Sequence, residues 1–317
     1  MKERILITGG LGFIGGRLCE FLIEDGYSVY ASTRKTKLPE GLDSRINLVK
    51  LDLEENDSNF EDLLNDIDIV IHAAGLDAHS CKEDPDKAFL INSEGTSKIL
   101  EAAIHKKVKT FIFLSTIHVF SNSLIGKFSK NSPTINKHPY ATSNLEGESL
   151  VMKASAENKI NGIVLRLANV FGAPVRKEGE CWNLFVNNIC KELIISQKIT
   201  LNSSEHIERN FLPMSALCNI ILSIIKNKLN TPNKEALIVS SKESLSLLNM
   251  ARRIQDRFYE ITSLKSRIIK QDIDQDYKNH ELVIKSDFVV EENLLNIELD
   301  NLIKYCLNNF PRNKEDE

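Results

Sequence analysis

Thr8-Gly9-Gly10-Leu11-Gly12-Phe13-Ile14-Gly15 stands close to the N-terminus, directly after the apolar run Arg4-Ile5-Leu6-Ile7. From Phe13 to Glu24, the apolar residues Phe13, Ile14, Leu18, Phe21 and Leu22 fall at helical spacing. The segment therefore reads as strand, tight turn and helix. A dinucleotide pyrophosphate needs backbone N–H groups at a helix N-terminus and no side chains where its phosphates come close. Gly9, Gly12 and Gly15 supply that absence. Their place between a strand and a helix separates a nucleotide-binding turn from an ordinary one. NADP or NAD is the expected cofactor, with Gly9, Gly12, Phe13, Ile14 and Gly15 around its phosphates.

Further strands are predicted at Ser28 to Ser32, Ile46 to Leu51, Ile67 to His72, Thr110 to Leu114, Gly162 to Leu167 and Ala236 to Ser240. Runs such as Ile69-Val70-Ile71 and Phe111-Ile112-Phe113-Leu114 suit strands buried on both faces. A long helix is expected from Tyr140 to Asn158. Strands alternating with helices predict the α/β class, a Rossmann-type doubly wound parallel sheet. After Gly172 the pattern weakens. Residues 1–171 are read as the dinucleotide-binding domain, and residues 172–311 as mainly a smaller, discontinuous C-terminal substrate lobe with segments returning to the Rossmann domain. Residues 312–317 are read as a frayed, charged tail.

The 317 residues are 42% hydrophobic and 26% charged, an ordinary globular composition. A net charge of -4 provides no positive field for a nucleic acid backbone or an anionic membrane. The six cysteines contain no C-x-x-C pair, so neither a metal site nor a disulfide framework is expected. No apolar run approaches the roughly 20 residues that span a bilayer, and the chain enters a strand at once without a signal segment. A soluble, cytoplasmic protein is the expectation.

The chain resembles the extended short-chain dehydrogenase/reductase family, the NAD-dependent epimerase/dehydratase family, over nearly its whole length. Beyond the glycine turn, the resemblance rests on Asp52-Leu53, His72-Ala73-Ala74-Gly75, Asn92-x-x-Gly95-Thr96, Ser115-Thr116 and Pro139-Tyr140-Ala141 with Ser143. It continues in Arg166-Leu167-x-Asn169-Val170-Phe171-Gly172 and Arg209-Asn210-Phe211. The resemblance implies that Asp52 and Leu53 lie beside the adenine and that Ala73 and Ala74 lie beside the cofactor. It also implies contacts from Asn169 and Arg209 to the diphosphate of a nucleotide-linked sugar. An arginine fork suits such bidentate phosphate binding. Asn183 is read as lying over the nucleotide base or as capping the following helix. The helices around Ser97 to Lys106 and Tyr140 to Asn158 imply a homodimer. At the end of the second strand Thr33 and Arg34, followed by Lys35, replace the carboxylate that binds NAD ribose, so NADP is favoured.

The implied catalytic residues are Tyr140, Thr116 and, at the lysine position of Y-x-x-x-K, Asn144. An unassisted tyrosine, with a pKa of about 10, is ionised in only about one molecule in a thousand at pH 7. A neighbouring ammonium favours the ionised form, and asparagine supplies no charge. Lys127, Lys130 and Lys137 precede Tyr140 and Lys153 follows it, none of them one helical turn beyond it. Where dehydratases of the family carry an acidic pair after the threonine, this chain has Ile117 and His118, which argues against dehydration. Two readings follow. One is an NAD(P)-dependent nucleotide-sugar epimerase or 4-ketoreductase; the other is a catalytically impaired NAD(P)-binding scaffold or sensor.

Overall fold

The computed structural model describes residues 2–34, 39, 42–55, 60–227, 235–270 and 281–311. Lys35 and the tail 312–317 lie outside the described residues. The chain divides into two compact units: Met1–Ser123, Lys130–Leu167 and Ile220–Ile238 form one, and Leu124–Ser129, Ala168–Asn219 and Val239–Glu317 the other.

The first unit is built on a seven-stranded sheet, ordered Ala236–Val239, Asn161–Leu167, Thr110–Thr116, Ile69–His72, Arg4–Thr8, Ser28–Thr33, Asn47–Lys50. Pairings from Asn161–Leu167 across to Asn47–Lys50 are parallel. Every residue of Ile69–His72 is buried, as are all but the first of Asn161–Leu167. Such strands require helices on both faces, which gives the Rossmann architecture. The strand order reverses between Arg4–Thr8 and Ile69–His72, whose last residues Thr8 and His72 are register partners. Ligands of doubly wound sheets bind at such a reversal, beyond the carboxyl ends of the strands.

Most strand ends differ from the sequence expectation by one or two residues, and two boundaries bear on the site. The strand expected to end at Leu114 runs on to Thr116, because Ser115 and Thr116 keep pairing with Arg166 and Leu167. The helix expected over Tyr140 to Asn158 is Pro139–Ala156. Proline is accommodated in a first turn, where its missing N–H had no partner to lose. Just past the helix, Asn158 takes a left-handed φ of 56°. This helix lies close on its neighbouring strand: a Cβ at Gly147 would sit 2.8 Å from Phe113 Cζ.

In the second unit, Asn169–Phe171 leaves the central sheet and pairs in parallel with Glu208–Pro213, which pairs antiparallel with Ser244–Ser246. Asn210 ties this small sheet to the loop at Ser241, accepting from Ser241 N and donating to Ser241 O, each at 2.9 Å. The helices Phe185–Ser196, Leu247–Thr262 and Asn293–Asn309 pack around it.

Candidate active site

The glycine turn closes on itself. Gly12 N donates to Gly9 O at 2.8 Å, and Gly9 takes a left-handed φ of 63°. A Cβ on Gly15 would meet Gly9 O at 2.3 Å, a backbone clash that no rotamer relieves. A Cβ on Gly9 would press on the Ala74 backbone at 3.0 Å. No side chain caps the helix Phe13–Glu24 at Gly12. Its first-turn N–H groups, those of Phe13, Ile14 and Gly15, have no carbonyl four residues back within the helix. An uncapped helix start behind a side-chain-free turn fits a pyrophosphate.

His72 braces this turn from beneath. Thr96 Oγ1 donates to Asn92 O at 2.7 Å, so its oxygen accepts from His72 Nε2 at 2.9 Å. Thr8 Oγ1 accepts from the N–H groups of Ala73 and Ala74, both at 3.1 Å, so its own proton goes to His72 Nδ1 at 2.7 Å. The neutral tautomer protonated on Nε2 therefore satisfies every group in the chain. Burial pushes the His72 pKa down to about 4, which keeps it neutral.

At the outer edge of the cofactor side, Thr33 is half-buried and Arg34 exposed. Arg34 lies 3.6 Å from the Glu54 carboxylate, which also pairs with Lys87 at 3.0 Å. Asp52 Oδ1 accepts from Glu54 N at 3.0 Å. Leu53 is buried against Gly95, where a Cβ would stand 3.1 Å from Leu53 Cβ.

Tyr140 is half-buried, and the buried Thr116 hydroxyl faces its phenol closely enough to favour the ionised form. Thr116 Oγ1 also accepts from His118 N at 3.2 Å, fixing its rotamer. Burial raises the Tyr140 pKa; the Thr116 hydroxyl works against this, while Cys81 and Asp77 push it further up. No cation among the described residues counters that rise. Asn144 Nδ2 turns back along the helix to donate to Tyr140 O at 2.7 Å. Its amide thus serves the backbone carbonyl one turn earlier. Lys130, which precedes Tyr140 in sequence, is paired with Glu235.

In the second unit, Asn169 Nδ2 donates to Asn210 O at 2.9 Å. Asn183 is exposed, and the helix Phe185–Ser196 begins after Leu184 with no side-chain cap, so the capping role read for Asn183 is corrected. Arg209 is half-buried, its guanidinium 5.9 Å from the centre of the Phe185 ring. Burial lowers its pKa, and no carboxylate pairs with it among the described residues. A desolvated guanidinium without a carboxylate suits an anionic group.

Sequence reading named Asn92 but missed Asn136 and His138, which hold Tyr140. Asn136 is buried, donates to His118 O at 2.6 Å and accepts from His138 N at 2.9 Å. His138 Nδ1 then accepts from Tyr140 N at 3.2 Å as the helix cap. Asn92, in a π-helical turn at Leu90–Glu94, accepts from Leu76 N at 2.8 Å and donates to Ser143 Oγ at 3.1 Å. The one available signal was the polar residue before Pro139, since capping residues precede first-turn prolines. No helix among the described residues is long and apolar enough to cross a membrane, and none of their His, Cys, Asp and Glu side chains group as a metal site.

A parallel sheet with its order reversed beside a glycine turn, and a tyrosine–threonine hydroxyl pair nearby in the same unit, define a nucleotide-binding protein of the Rossmann class. The chain belongs to the NAD dependent epimerase/dehydratase family, whose model matches residues 5–239. It is 26% identical over 279 residues to the human dTDP-D-glucose 4,6-dehydratase, covering 82% of this chain and 75% of that one. In fold it is similar to a UDP-N-acetylglucosamine 4-epimerase from Methanobrevibacter ruminantium (TM-score 0.79, 20% identity, 97% and 99% of the two chains). It is also similar to a UDP-glucuronic acid 4-epimerase from Bacillus cereus solved with NAD (TM-score 0.77, 22% identity, 96% and 99% coverage).

The neutral His72 sets a pH dependence. Its folded pKa, about 4, lies below the unfolded value of about 6.5, so between these values the unfolded chain binds the extra proton and stability falls with falling pH. Urea unfolding of the wild type and His72→Gln should show the wild type's advantage shrinking by about 2 kcal/mol between pH 7 and pH 5. An advantage independent of pH would contradict the neutral, buried histidine.

Proposed function

We propose that the chain is a soluble, cytoplasmic enzyme that binds NADP(H) and reduces a keto group on a nucleotide-diphosphate sugar, Tyr140 giving the proton. The observation that carries this reading is Tyr140 itself, half-buried beside the buried Thr116, its pKa raised by desolvation with no cation among the described residues to lower it. A phenol raised in this way is a proton donor at neutral pH. Epimerisation begins with an oxidation, for which the same oxygen would have to be a base. That step has little phenolate to draw on, so the reductase is preferred to the epimerase.

The hydride is the chemistry that a reduced nicotinamide supplies when bound. Tyr140 delivers its proton to the carbonyl oxygen as that oxygen gains charge, and the Thr116 hydroxyl donates to the phenolate left behind. Gly9, Gly12, Phe13, Ile14 and Gly15 would hold the pyrophosphate; Asp52, Leu53, Ala73 and Ala74 the adenosine side; Thr33 and Arg34 the ribose edge. Arg209 would take the substrate diphosphate, with Asn169 and Asn183 as further contacts. Residues 172–311 would serve mainly as the substrate lobe, and the helices Gly95–His105 and Pro139–Ala156 as the homodimer face. The committed Asn144 amide supports a second reading, a cofactor-binding scaffold or sensor that no longer turns over.

Thr33-Arg34 in place of a ribose-binding carboxylate should give tighter binding of NADP(H) than of NAD(H) by calorimetry, with Arg34→Asp reversing the order. A clear NAD preference of the wild type would remove the NADP assignment. UDP-glucose or dTDP-glucose should raise the melting temperature, since a ligand at 100 times its Kd stabilises the native state by about 2.7 kcal/mol. Arg209→Ala should lose that rise; stabilisation by cofactor alone in the wild type would count against the substrate class.

Asn144→Lys separates enzyme from scaffold. The restored ammonium should lower the Tyr140 pKa and bring the alkaline fall in reduction rate to lower pH. Where proton transfer limits turnover, the gain is on the order of 10²–10⁴-fold. Turnover no faster than that of Tyr140→Phe, in both the wild type and Asn144→Lys, would favour the scaffold.

A further inference from the structure

We infer that Glu148 is a positioning residue, its carboxylate shared between Ser115 and Arg166 so that the helix carrying Tyr140 is locked to the strand carrying Thr116. Resting on the reading of those hydroxyls as the reacting pair, it assigns a role to a buried charge outside the site so far described.

Glu148 lies eight residues after Tyr140 in the helix Pro139–Ala156, just over two turns and roughly 12 Å along its axis. The residue is fully buried, which for a carboxylate demands complete pairing. Its Oε1 accepts from Ser115 Oγ at 2.5 Å and from Arg166 Nε at 3.0 Å; its Oε2 accepts from Arg166 Nη2 at 2.6 Å. Ser115 and Arg166 are register partners on adjacent parallel strands. One carboxylate thus gathers a helix and two strands, and Ser115 stands immediately before Thr116.

Two further contacts carry the lock toward the hydroxyl pair. The Arg166 guanidinium lies 5.0 Å from the centre of the Phe120 ring, at the end of the Ile117–Val119 turn that follows Thr116. That turn is also held by Asn136, whose partner His138 caps the helix at Tyr140. Tyr140 is therefore located from before by Asn136 and His138 and from behind by Glu148, while Thr116 is located by Ser115. The Gly147 approach to Phe113 leaves the helix little room to slide. Releasing the carboxylate from Ser115 loosens helix against strand at the level where the phenol and the threonine hydroxyl must meet.

Glu148→Gln would strand a buried guanidinium and is a poor test, because lost folding would hide lost positioning. Ser115→Ala leaves the ion pair intact and cuts only its tie to the strand. The double variant Glu148→Leu/Arg166→Met replaces the pair with apolar groups, an exchange that buried ion pairs tolerate. The readout is the Tyr140 ring carbon bearing the hydroxyl, in protein labelled with 13Cζ-tyrosine and saturated with NADPH, its signal assigned with Tyr140→Phe. The signal is followed at neutral pH for its hydrogen bond and through an alkaline titration for its midpoint.

Both variants should keep the wild-type circular dichroism, Ser115→Ala melting a few degrees lower for its lost hydrogen bond to a buried carboxylate. In both, the Tyr140 signal should shift and its midpoint rise by roughly 0.5–1 pH unit as the Thr116 hydroxyl, which favours the ionised phenol, draws away. Turnover should fall roughly tenfold or more at unchanged KM. Folded variants with an unaltered Tyr140 signal and midpoint would overturn the inference and leave Glu148 a staple of the fold. Should the wild type turn over no nucleotide sugar, the proposed function fails, yet the Tyr140 signal still scores the lock.

Discussion

Thr8 and His72 end two neighbouring strands at the place where the strand order reverses, and their side chains meet at 2.7 Å. The rest of the nucleotide-binding end hangs on that contact. Thr8 receives the N–H groups of Ala73 and Ala74, whose backbone lies against Gly9, while His72 reaches Thr96 and through it the π-helical turn at Asn92. A charged imidazole would need an acceptor at both nitrogens and would reverse the Thr8 hydrogen bond. Burial excludes that state near neutral pH by pushing the pKa down to about 4. Neutrality of one ring thereby sets the shape of the turn.

The same unit holds a second buried polar system of the opposite character. Glu148 and Arg166, with side-chain exposures of 0% and 8%, pair with each other through a bidentate contact. Such a pair adds little net stability over an apolar one, since desolvating two charges offsets most of their attraction. Its value lies in direction. A bidentate contact tolerates little rotation, so the elements it joins have one register available.

Much of the frame was legible from residues 4–167, because doubly buried strands announce themselves as uninterrupted apolar runs and the glycine spacing is backbone chemistry written as composition. Tyr140 and Thr116 were likewise visible as residue types in a recognisable order, and the Thr116 hydroxyl acts on the Tyr140 phenol. Side-chain direction was less legible. Asn144 offers an amide in sequence, but that amide donates to the carbonyl of its own helix one turn back, and no pattern of letters tells which acceptor it will choose. Asn183 failed as a helix cap because the chain reaches its helix through extended Leu184, one residue later than capping would require. Glu148, Asn136 and His138 look like surface residues by type; only the tertiary partners that satisfy them reveal why they are held.

Asparagine at position 144 touches neither of these supports. The glycine turn is held by Thr8 and His72, and the hydroxyl pair by Ser115, Glu148, Asn136 and His138, all through contacts that need no lysine. What changes is the electrostatics at one oxygen. With Cys81 and Asp77 both raising the Tyr140 pKa and only a neutral hydroxyl opposing them, the phenol holds its proton more tightly than in water. On the proposed reading, a site so arranged gives protons away more readily than it collects them, since donation begins from the abundant form and abstraction from the scarce one. The scaffold that binds and orients can therefore be complete while the direction of proton flow is set by a single missing charge. On that reading, one substitution biases the chemistry without costing the fold.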